Sequence, residues 1–481
     1  MLHLCGIALG VSIRNKKDEK RERMKKYKVE FETNDTKYLE IYRHIKKIIE
    51  KGQLRPNEKL PPLRRLSEFL GVNISTCVNA YNLLEKEHLI YKVSGSGCYV
   101  LPVEEGVEEE TGKVRFDIGH PSTDMFPLEN FRRSVEKAMA LNLRGVFDYE
   151  EGLGYEKLRE YLVRYLEQSG IHSNKERIQI ISGAQQGISL VAKALLNYGD
   201  IIYVEEPSYH GAMEVFSDKK LKPVSIPMMH DGIDVGILKT KLERFRPSLI
   251  YVMPTYQNPT GVNYSLKKKK LLLELAAKYD FYIIEDDFLS DIEFHGHKEH
   301  APLRSYDEHN RVIYIKSFSK ILMPGLRIGF MEMPESFVPA IRKEKNKMDI
   351  AGPSIIQHSL YKYFQDFDWN LHLSMVQGAY LRKFELMSRS LEKGFTGLLE
   401  FLRPAGGTNA FFYLPKGHSA KDFRLYLRRQ HNIEVLEGGL FGDSLRCQRG
   451  FRISCASLDE EAIPSSFELL RKATGEYLQQ G

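Results

Sequence analysis

The stretch Ser317-Phe318-Ser319-Lys320, followed by Pro324-Gly325-Leu326-Arg327-Ile328-Gly329, decides how the rest of the chain is interpreted. A lysine between small hydroxyl residues, with a glycine-containing turn and an arginine just after it, is poorly suited to a hydrophobic core. It is well suited to a phosphorylated aldehyde, because the Lys320 amine can form a Schiff base while hydroxyls and the Arg327 guanidinium hold the phosphate. Taken alone, the motif fits an exposed lysine on a serine-rich loop equally well.

Five short apolar runs alternate with helical stretches in the middle of the chain. They cover residues 178–181, 201–204, 249–252, 281–284 and 312–315. Near-continuous apolar strands separated by helices predict an α/β sheet that is covered on both faces. Ligands of such sheets bind beyond the carboxyl ends of the strands. The residues that follow each run are therefore the candidate site.

A polar motif follows each of the five runs. In chain order these are Ser182-Gly183-Ala184-Gln185 at the start of a helix, Glu205-Glu206-Pro207-Ser208-Tyr209, a turn over residues 254–261 that presents Asn258, Glu285-Asp286-Asp287-Phe288, and the lysine stretch. The first suits a phosphate, because a helix N-terminus exposes backbone N–H groups and its dipole favours an anion. Each motif alone also fits an ordinary cap, turn or solvated acid pair. Five of them in this order favour a ligand site.

The order and the residues of these motifs resemble the fold-type I pyridoxal-phosphate aminotransferases, from about residue 116 to about residue 469. Further shared stretches are Tyr149-Glu150-Glu151-Gly152-Leu153-Gly154 with Leu158-Arg159, and Gly406-Gly407-Thr408. The resemblance implies a mostly parallel central sheet with a smaller C-terminal α+β subdomain. It also implies pyridoxal 5'-phosphate as the cofactor.

The same resemblance implies a role for each candidate residue. Lys320 holds the cofactor as an internal aldimine, Asp286 pairs with the pyridine nitrogen, and Arg452 binds the carboxylate of a substrate or effector. The other implied cofactor contacts are Tyr209 on the ring, Asn258 at the phenolic oxygen, and Gly183, Ala184, Gln185, Ser317, Ser319 and Arg327 at the phosphate. Many relatives have a tyrosine where Phe288 stands, so we expect a shifted aldimine pKa and slower proton transfer.

Residues 36–102 form a separate predicted module. Helical patterns over residues 38–51, 63–70 and 74–87 are followed by two short strands around Ser94-Gly95-Ser96-Gly97. Two helices joined by a tight turn and followed by a hairpin predict a winged helix-turn-helix, whose second helix enters the major groove of DNA. Residues 37–102 hold 11 Lys and Arg against 6 Asp and Glu, which accounts for nearly all of the net charge of +6. A nucleic-acid-binding module shows such a balance.

Several motifs of this module, among them Lys59-Leu60-Pro61, Leu70-Gly71-Val72 and Ala80-Tyr81, resemble the DNA-binding domain of the GntR family. The resemblance implies DNA contacts from Arg64, Ser75, Thr76, Gly95 and Gly97. Ile74 departs from the family, which usually has an arginine there. An isoleucine cannot donate a hydrogen bond to a base or a phosphate, although it can contact a thymine methyl group. The operator sequence therefore stays open.

The remaining segments connect or flank these two parts. Residues 1–35 are predicted to be a disordered arm, with Met24 as an alternative start, and residues 103–114 an acidic linker to a domain over residues 115–481. No apolar run reaches the roughly 20 residues that a membrane span needs. The five cysteines form no CxxC pair, which is typical of the reducing cytoplasm. The histidines show no metal-ligand spacing, so we predict no metal.

A GntR-type winged helix joined to an aminotransferase-like domain resembles the MocR-type transcriptional regulators of bacteria. The resemblance implies a head-to-tail homodimer that binds double-stranded operator DNA and senses a small amino compound, which displaces Lys320 as an external aldimine. Two alternatives stay open at this point. One is an active transaminase with a tethered DNA-binding domain. The other is a regulator whose second domain serves only for dimerisation, although the intact lysine and phosphate motifs weigh against it.

Overall fold

The computed structural model describes residues 24–29, 31, 36–50, 53–54, 57–87, 89–93, 96–101, 113–141, 144–294 and 301–479. The chain divides into two compact units, Met1–Thr111 and Gly112–Gly481. In the described ranges, no helix combines the length and the apolar composition required to cross a membrane. Within the same ranges, no three His, Cys, Asp or Glu side chains are grouped so that they could hold a metal ion.

The first unit joins helices to a β-hairpin. Its elements are α1 (Lys37–Glu50), α2 (Leu63–Leu70), α3 (Ile74–Lys86), β1 (Ile90–Val93) and β2 (Gly97–Val100), and the two strands pair antiparallel. One face of α1 is buried, with Ile41 and Ile45 at 0% and 1% exposure. Gly71 has a φ of +65°, a conformation that glycine adopts readily, and this permits the tight turn from α2 into α3. The predicted winged helix is confirmed.

The predicted disordered arm, residues 1–35, includes residues that are folded. Met24 and Tyr27 are 7% and 3% exposed, and both pack in the hydrophobic core of the first unit. The Lys26 Nζ donates to Glu58 Oε1 at 2.6 Å. Burial of these side chains offsets the entropy cost of ordering the segment, so residues 24–29 belong to the folded unit. Residues 1–23 lie outside the described part of the chain.

The second unit is built around an eight-stranded sheet with the order β4-β11-β10-β9-β8-β5-β6-β7. Its strands are β4 (Ile178–Ile181), β5 (Ile201–Glu206), β6 (Lys222–Met229), β7 (Gly232–Ile233), β8 (Leu249–Val252), β9 (Tyr282–Asp287), β10 (Val312–Ser317) and β11 (Gly329–Glu332). Neighbouring strands pair parallel from β10 to β6. Strand β11 runs antiparallel to both of its neighbours, and β7 runs antiparallel to β6.

Helices pack around this sheet. They are α4 (Leu128–Leu141), α5 (Glu156–Gln168), α6 (Ala184–Leu195), α7 (His210–Asp218), α8 (Val235–Leu242), α9 (Leu266–Tyr279), α10 (Val338–Asp349), α11 (Ser354–Asp366) and α12 (Trp369–Gly394). All five predicted strand runs lie in the sheet, and β4 and β8 are buried along their whole length. Strands β9 and β10 extend to Asp287 and Ser317. These polar residues, which were predicted to follow the strands, are therefore their last residues. The mostly parallel α/β class is confirmed.

The C-terminal part of the second unit is a smaller antiparallel sheet with the order β12-β13-β16-β15. Its elements are β12 (Glu400–Phe401), β13 (Asn409–Tyr413), α13 (Ala420–His431), β14 (Ile433–Glu434), β15 (Leu436–Glu437), α14 (Leu445–Gln448), β16 (Gly450–Ser454) and α15 (Ala462–Gln479). Strand β3 (Val114–Arg115) pairs with β14, so Val114, the last residue of the predicted linker, lies in a strand of this unit. Arg452 stands in the interior strand β16.

Candidate functional site

A cavity of about 280 Å³ lies in the second unit, bordered by residues from the strand ends and from the C-terminal subdomain. Four of the predicted site residues line it: Lys320, Tyr209, Asn258 and Arg452. The remaining lining residues are Asp117, Gly119, His120, His210, Phe288, Leu289, Tyr380, Thr408, Asn409 and Leu436. The fold therefore brings together residues that are more than 200 positions apart in the chain.

Lys320 is held in the cavity through both its side chain and its backbone. Its Nζ donates to the backbone oxygen of Gly119. The hydroxyl of Tyr380 donates to the backbone oxygen of Lys320 at 2.8 Å. Burial, together with the charge of Arg452, lowers the pKa of Lys320 to about 8. A larger neutral fraction at physiological pH makes the amine a better nucleophile toward an aldehyde.

Asp286 is a buried carboxyl group at the end of β9. Tyr251 donates its hydroxyl to Asp286 Oδ2 at 2.7 Å, whereas Oδ1 is buried without a hydrogen-bond partner among the described residues. Burial raises the pKa of Asp286 to about 7, Tyr251 opposes this shift, and Asp287 adds to it. Asn258 Oδ1 is likewise buried without a described partner. Because an unsatisfied buried polar atom costs about 1–3 kcal/mol, both atoms are suited to a ligand that brings hydrogen-bond donors.

The start of α6 and Arg327 form a cradle. Gly183 has a φ of +90°, and a Cβ atom there would come within 2.7 Å of the Arg327 Nη2. Arg327 Nη2 donates to the backbone oxygen of Ser182 at 2.9 Å. Only glycine at position 183 therefore allows the guanidinium so close to the helix N-terminus, where the dipole and free N–H groups favour an anion.

The other predicted phosphate contacts have local partners. Ser317 Oγ accepts from the backbone N–H of Ser319 at 3.3 Å. The Gln185 Nε2 donates to the backbone oxygen of Gly211 at 2.7 Å, so this side chain is bound to the start of α7. Ala184 is the first residue of α6. Because its side chain has no polar group, it can bind an anion only through its backbone N–H.

Arg452 is 3% exposed and lies against residues 117–119, just after β3. It donates to the backbone oxygen of Asp117, and a Cβ atom on Gly119 would come within 3.4 Å of its Nη1. Its Nε is buried without a described hydrogen-bond partner. Burial lowers the pKa of Arg452 to about 10, so the group is still charged at neutral pH. A buried guanidinium group with an N–H donor that has no described partner is suited to bind a carboxylate.

Several residues of the site were missed in the sequence. Tyr251 had a usable signal, because a tyrosine inside the short apolar run over residues 249–252 points to a polar partner at the strand end. Tyr380 and Gly119 carried no local signal, because each reaches Lys320 through a contact between distant parts of the chain. His210 follows Tyr209, and its Nδ1 is buried without a partner in the described structure.

The predicted DNA contacts lie in the first unit. Arg64 is exposed on α2, and Ser75 and Thr76 stand in the first turn of α3, exposed and half-buried respectively. Gly97 is the exposed first residue of β2, whereas Gly95 lies outside the described residues. Ile74, the first residue of α3, is 47% exposed. The start of α3 therefore presents both hydroxyl groups and an apolar side chain to the surroundings.

Comparison with known proteins separates the chain into the same two parts. Residues 111–468 match the aminotransferase class I and II family, and residues 37–100 match the gntR family of bacterial regulatory proteins. An uncharacterized HTH-type transcriptional regulator of Bacillus subtilis, YcxD, is 30% identical over 346 residues, which cover 72% of this chain and 78% of the relative. A second one from the same organism, YisV, is 26% identical over 470 residues, covering 90% and 96%.

A solved structure is also similar. The α-aminoadipate aminotransferase LysN of Thermus thermophilus, complexed with N-(5'-phosphopyridoxyl)-L-leucine, has a TM-score of 0.72 and 27% sequence identity. The similarity covers 77% of this chain and 94% of that chain. The chain is therefore similar to a solved aminotransferase that holds a phosphopyridoxyl compound.

Proposed function

The chain belongs to the aminotransferase class I and II family and carries a gntR-family DNA-binding domain, the fusion found in MocR-type regulators, and from this premise we propose that it senses a small amino compound and regulates transcription. The observation that carries the proposal is the presence, in one chain, of a winged helix and of a cavity lined by Lys320, Asn258 and Arg452, together with the buried carboxyl group of Asp286 at the end of β9. A pure dimerisation scaffold has no need of such a set.

Pyridoxal 5'-phosphate is the cofactor of this family, and the residues of the cavity and of the neighbouring strand and helix ends fit it. The unpartnered oxygens of Asp286 and Asn258 suit the ring nitrogen and the phenolic hydroxyl, and the Gly183–Arg327 cradle suits the phosphate. Tyr209, which lines the same cavity, contacts the ring in this proposal. When bound, the cofactor supplies an aldehyde carbon that exchanges reversibly between amines.

In the proposed function, Lys320 and Arg452 together select the effector. Lys320 would hold the aldehyde of the cofactor, and its lowered pKa of about 8 leaves a larger neutral, nucleophilic fraction of its amine at neutral pH. Arg452 orients the effector by its carboxylate. The exchange can switch the regulator only if the effector binds one arrangement of the domains more tightly than the other.

DNA binding and assembly complete the proposal. Arg64, Ser75, Thr76, Gly95 and Gly97 contact operator DNA, and a head-to-tail homodimer presents two winged helices to paired half-sites. Arg64 supplies charge to the phosphate backbone, whereas the start of α3 meets base edges. Because its DNA target is the chromosome, the protein acts in the bacterial cytoplasm.

A second candidate function is transamination. The same four residues are those that a working enzyme needs, and the similar LysN is an aminotransferase. Phe288 weighs against turnover, because it brings no hydroxyl group to the cavity that it lines. The two candidates differ in what happens after the amine has bound, since only transamination transfers the amino group.

The absorbance spectrum of the cofactor-loaded protein distinguishes the two candidates. A panel of amino acids, amines without a carboxylate and keto acids is titrated while the visible band is followed. For a sensor, we expect an amino compound to shift the band and to hold it there. Decay to the amine form of the cofactor, reversed by a keto acid, would place transamination first. A panel that leaves the spectrum unchanged would contradict both candidates.

Operator binding is tested with Arg64→Ala, for which Arg65→Ala is the matched control. Both arginines are exposed neighbours on α2, so each substitution removes the same charge from the same helix. We expect Arg64→Ala to weaken binding to the protein's own upstream DNA by about tenfold and to reduce its salt dependence by roughly one counterion. Arg65→Ala should have a much smaller effect. Equal losses in gel-shift assays would contradict the proposed contact, and no specific binding by wild type would contradict the regulator.

A further inference from the structure

A buried ionic cluster lies at the ends of β9 and β10. Lys316 Nζ lies 2.6 Å from Asp291 Oδ2 and 3.3 Å from Asp287 Oδ1, and it donates to Ser290 Oγ at 2.9 Å. The side chains of Lys316 and Asp287 are 1% and 2% exposed. We call Lys316, Asp287, Asp291 and Ser290 the Lys316 cluster. A charged group so deeply buried is retained only when it is paired.

The cluster lies directly behind the cofactor site. In the parallel pairing of β9 with β10, Lys316 is opposite Asp287, and Ile315 is opposite Asp286. Successive residues of a strand point to opposite faces, so Asp286 and Asp287 project in opposite directions from one strand end. Lys316 likewise precedes Ser317 and stands four residues before Lys320. The cluster therefore joins the two strand ends that carry Asp286 and the lysine stretch.

Hydrogen bonds hold both carboxylates of the cluster, although Asp291 Oδ2, which pairs with Lys316, has no hydrogen bond among the described residues. Asp287 accepts from the backbone N–H of Ser290 at 2.9 Å and from the Tyr314 hydroxyl at 2.5 Å, and the Tyr165 hydroxyl donates to Asp291. Although burial alone would raise it, the charge of Lys316 holds the pKa of Asp287 below its ordinary value. Burial would lower the pKa of Lys316, but the two carboxylates hold it above its ordinary value. Lys316 is therefore a fixed positive charge and not a second amine for the aldehyde.

We propose that Lys316 is a positioning residue of the cofactor site, which ties the ends of β9 and β10 together through Asp287 and Asp291 and supplies a positive charge that favours the ionised form of Asp286. The inference rests on the proposed role of Asp286. The other groups that face Asp286 are Tyr251 of β8, Glu205 of β5 and Tyr209. Asp287 acts in the opposite sense, because its negative charge favours the protonated form of Asp286.

Substitutions of Lys316 and Asp287 are therefore expected to shift the pH midpoint of cofactor binding in opposite directions. Burial raises the pKa of Asp286 to about 7, so the part of the cofactor affinity that depends on Asp286 should be complete above this pH and fall as the pH drops through it. Lys320 adds a separate step near its own pKa of about 8, because its amine must be neutral to form the Schiff base. Lys316→Met removes a positive charge and should move the midpoint up by about one pH unit, with roughly five- to tenfold weaker binding at pH 7. Asp287→Asn removes a negative charge and should move the midpoint down.

The experiment titrates the protein without cofactor, from about pH 6 to 9, with pyridoxal 5'-phosphate. Binding is followed by the fluorescence of Trp369, the only tryptophan, whose ring centroid lies 6.2 Å from that of Phe318 in the lysine stretch. Lys383→Met is the matched control: Lys383 is 3% exposed and donates to the backbone oxygen of Ala456 at 2.8 Å. This control can lower the unfolding temperature but should leave the pH midpoint unchanged.

Opposite shifts of the midpoint in Lys316→Met and Asp287→Asn support the proposal. Equal losses of affinity at every pH, with unmoved midpoints, would overturn it in favour of a purely structural cluster. If Lys316→Met does not fold, the direction of the Asp287→Asn shift decides. Asp286→Asn separates the two levels, because it should remove the step of the pH dependence near pH 7 and leave the step near pH 8 that belongs to Lys320. If the step near pH 7 persists, the proposed role of Asp286 fails, and the inference fails with it.

Discussion

Replacing Lys320 by arginine is expected to abolish the visible band of lysine-bound pyridoxal phosphate completely. A guanidinium keeps the positive charge but stays protonated and cannot form the Schiff base. The phosphate cradle of Gly183 and Arg327 is not altered, so the cofactor should still bind, noncovalently and with an absorbance closer to that of the free aldehyde. Spectra of the purified variant, before and after dialysis against buffer, measure both effects.

The control for this prediction is Lys347→Arg, which exchanges an exposed lysine that pairs with Glu344 at 2.6 Å. It should keep the band of the wild type. A dialysis-resistant band in Lys320→Arg would mean that another amine binds the aldehyde, and it would contradict the proposed role of Lys320. Gel shifts with Lys320→Arg add a second readout: operator binding without effector should survive, whereas the response to an amino compound should disappear.

Replacing Arg452 by leucine is expected to weaken the binding of carboxylate-bearing effectors by about 30- to 5,000-fold. The estimate follows from the roughly 2–5 kcal/mol lost when one partner of a buried, hydrogen-bonded charge pair is truncated. The binding of amines without a carboxylate should be much less affected, because they lack the group that the Arg452 guanidinium binds. Titration of the cofactor band with matched pairs of an amino acid and its decarboxylated amine measures the difference.

Arg452→Lys provides a graded control, since it keeps a charge but loses the two-pronged donor geometry. We expect an effector affinity between those of the wild type and Arg452→Leu. In Arg452→Leu, the loss of the positive charge should also raise the pKa of Lys320 from about 8, because the charge of Arg452 contributes to lowering it. An unchanged affinity for amino acids in Arg452→Leu would show that the carboxylate is bound elsewhere.

The order of the motifs along the chain was enough to predict the fold of both units. The short apolar runs before Ser182, Glu205 and Ser317 can be buried only in a sheet that is covered on both faces, and the lysine stretch follows one of them. The helix and hairpin pattern of residues 36–102 was equally informative, since α2 begins and ends at the predicted residues. The extent of the first folded unit was not predicted, because the burial of Tyr27 depends on a core formed by residues further along the chain.

The chemical state of the site was decided by tertiary structure. The amino-acid types alone identify Lys320 as an amine and Asp286 as a carboxyl group, and their local motifs associate them with a phosphorylated aldehyde. The pKa values of about 8 and about 7 arise from burial and from Arg452, Tyr251 and Asp287, which only the fold brings close. The sequence by itself thus determined which groups are available. Their ionisation and unsatisfied hydrogen bonds, and the Lys316 cluster behind them, depend on contacts between distant segments, since solvent exclusion and charge proximity are properties of the packed chain.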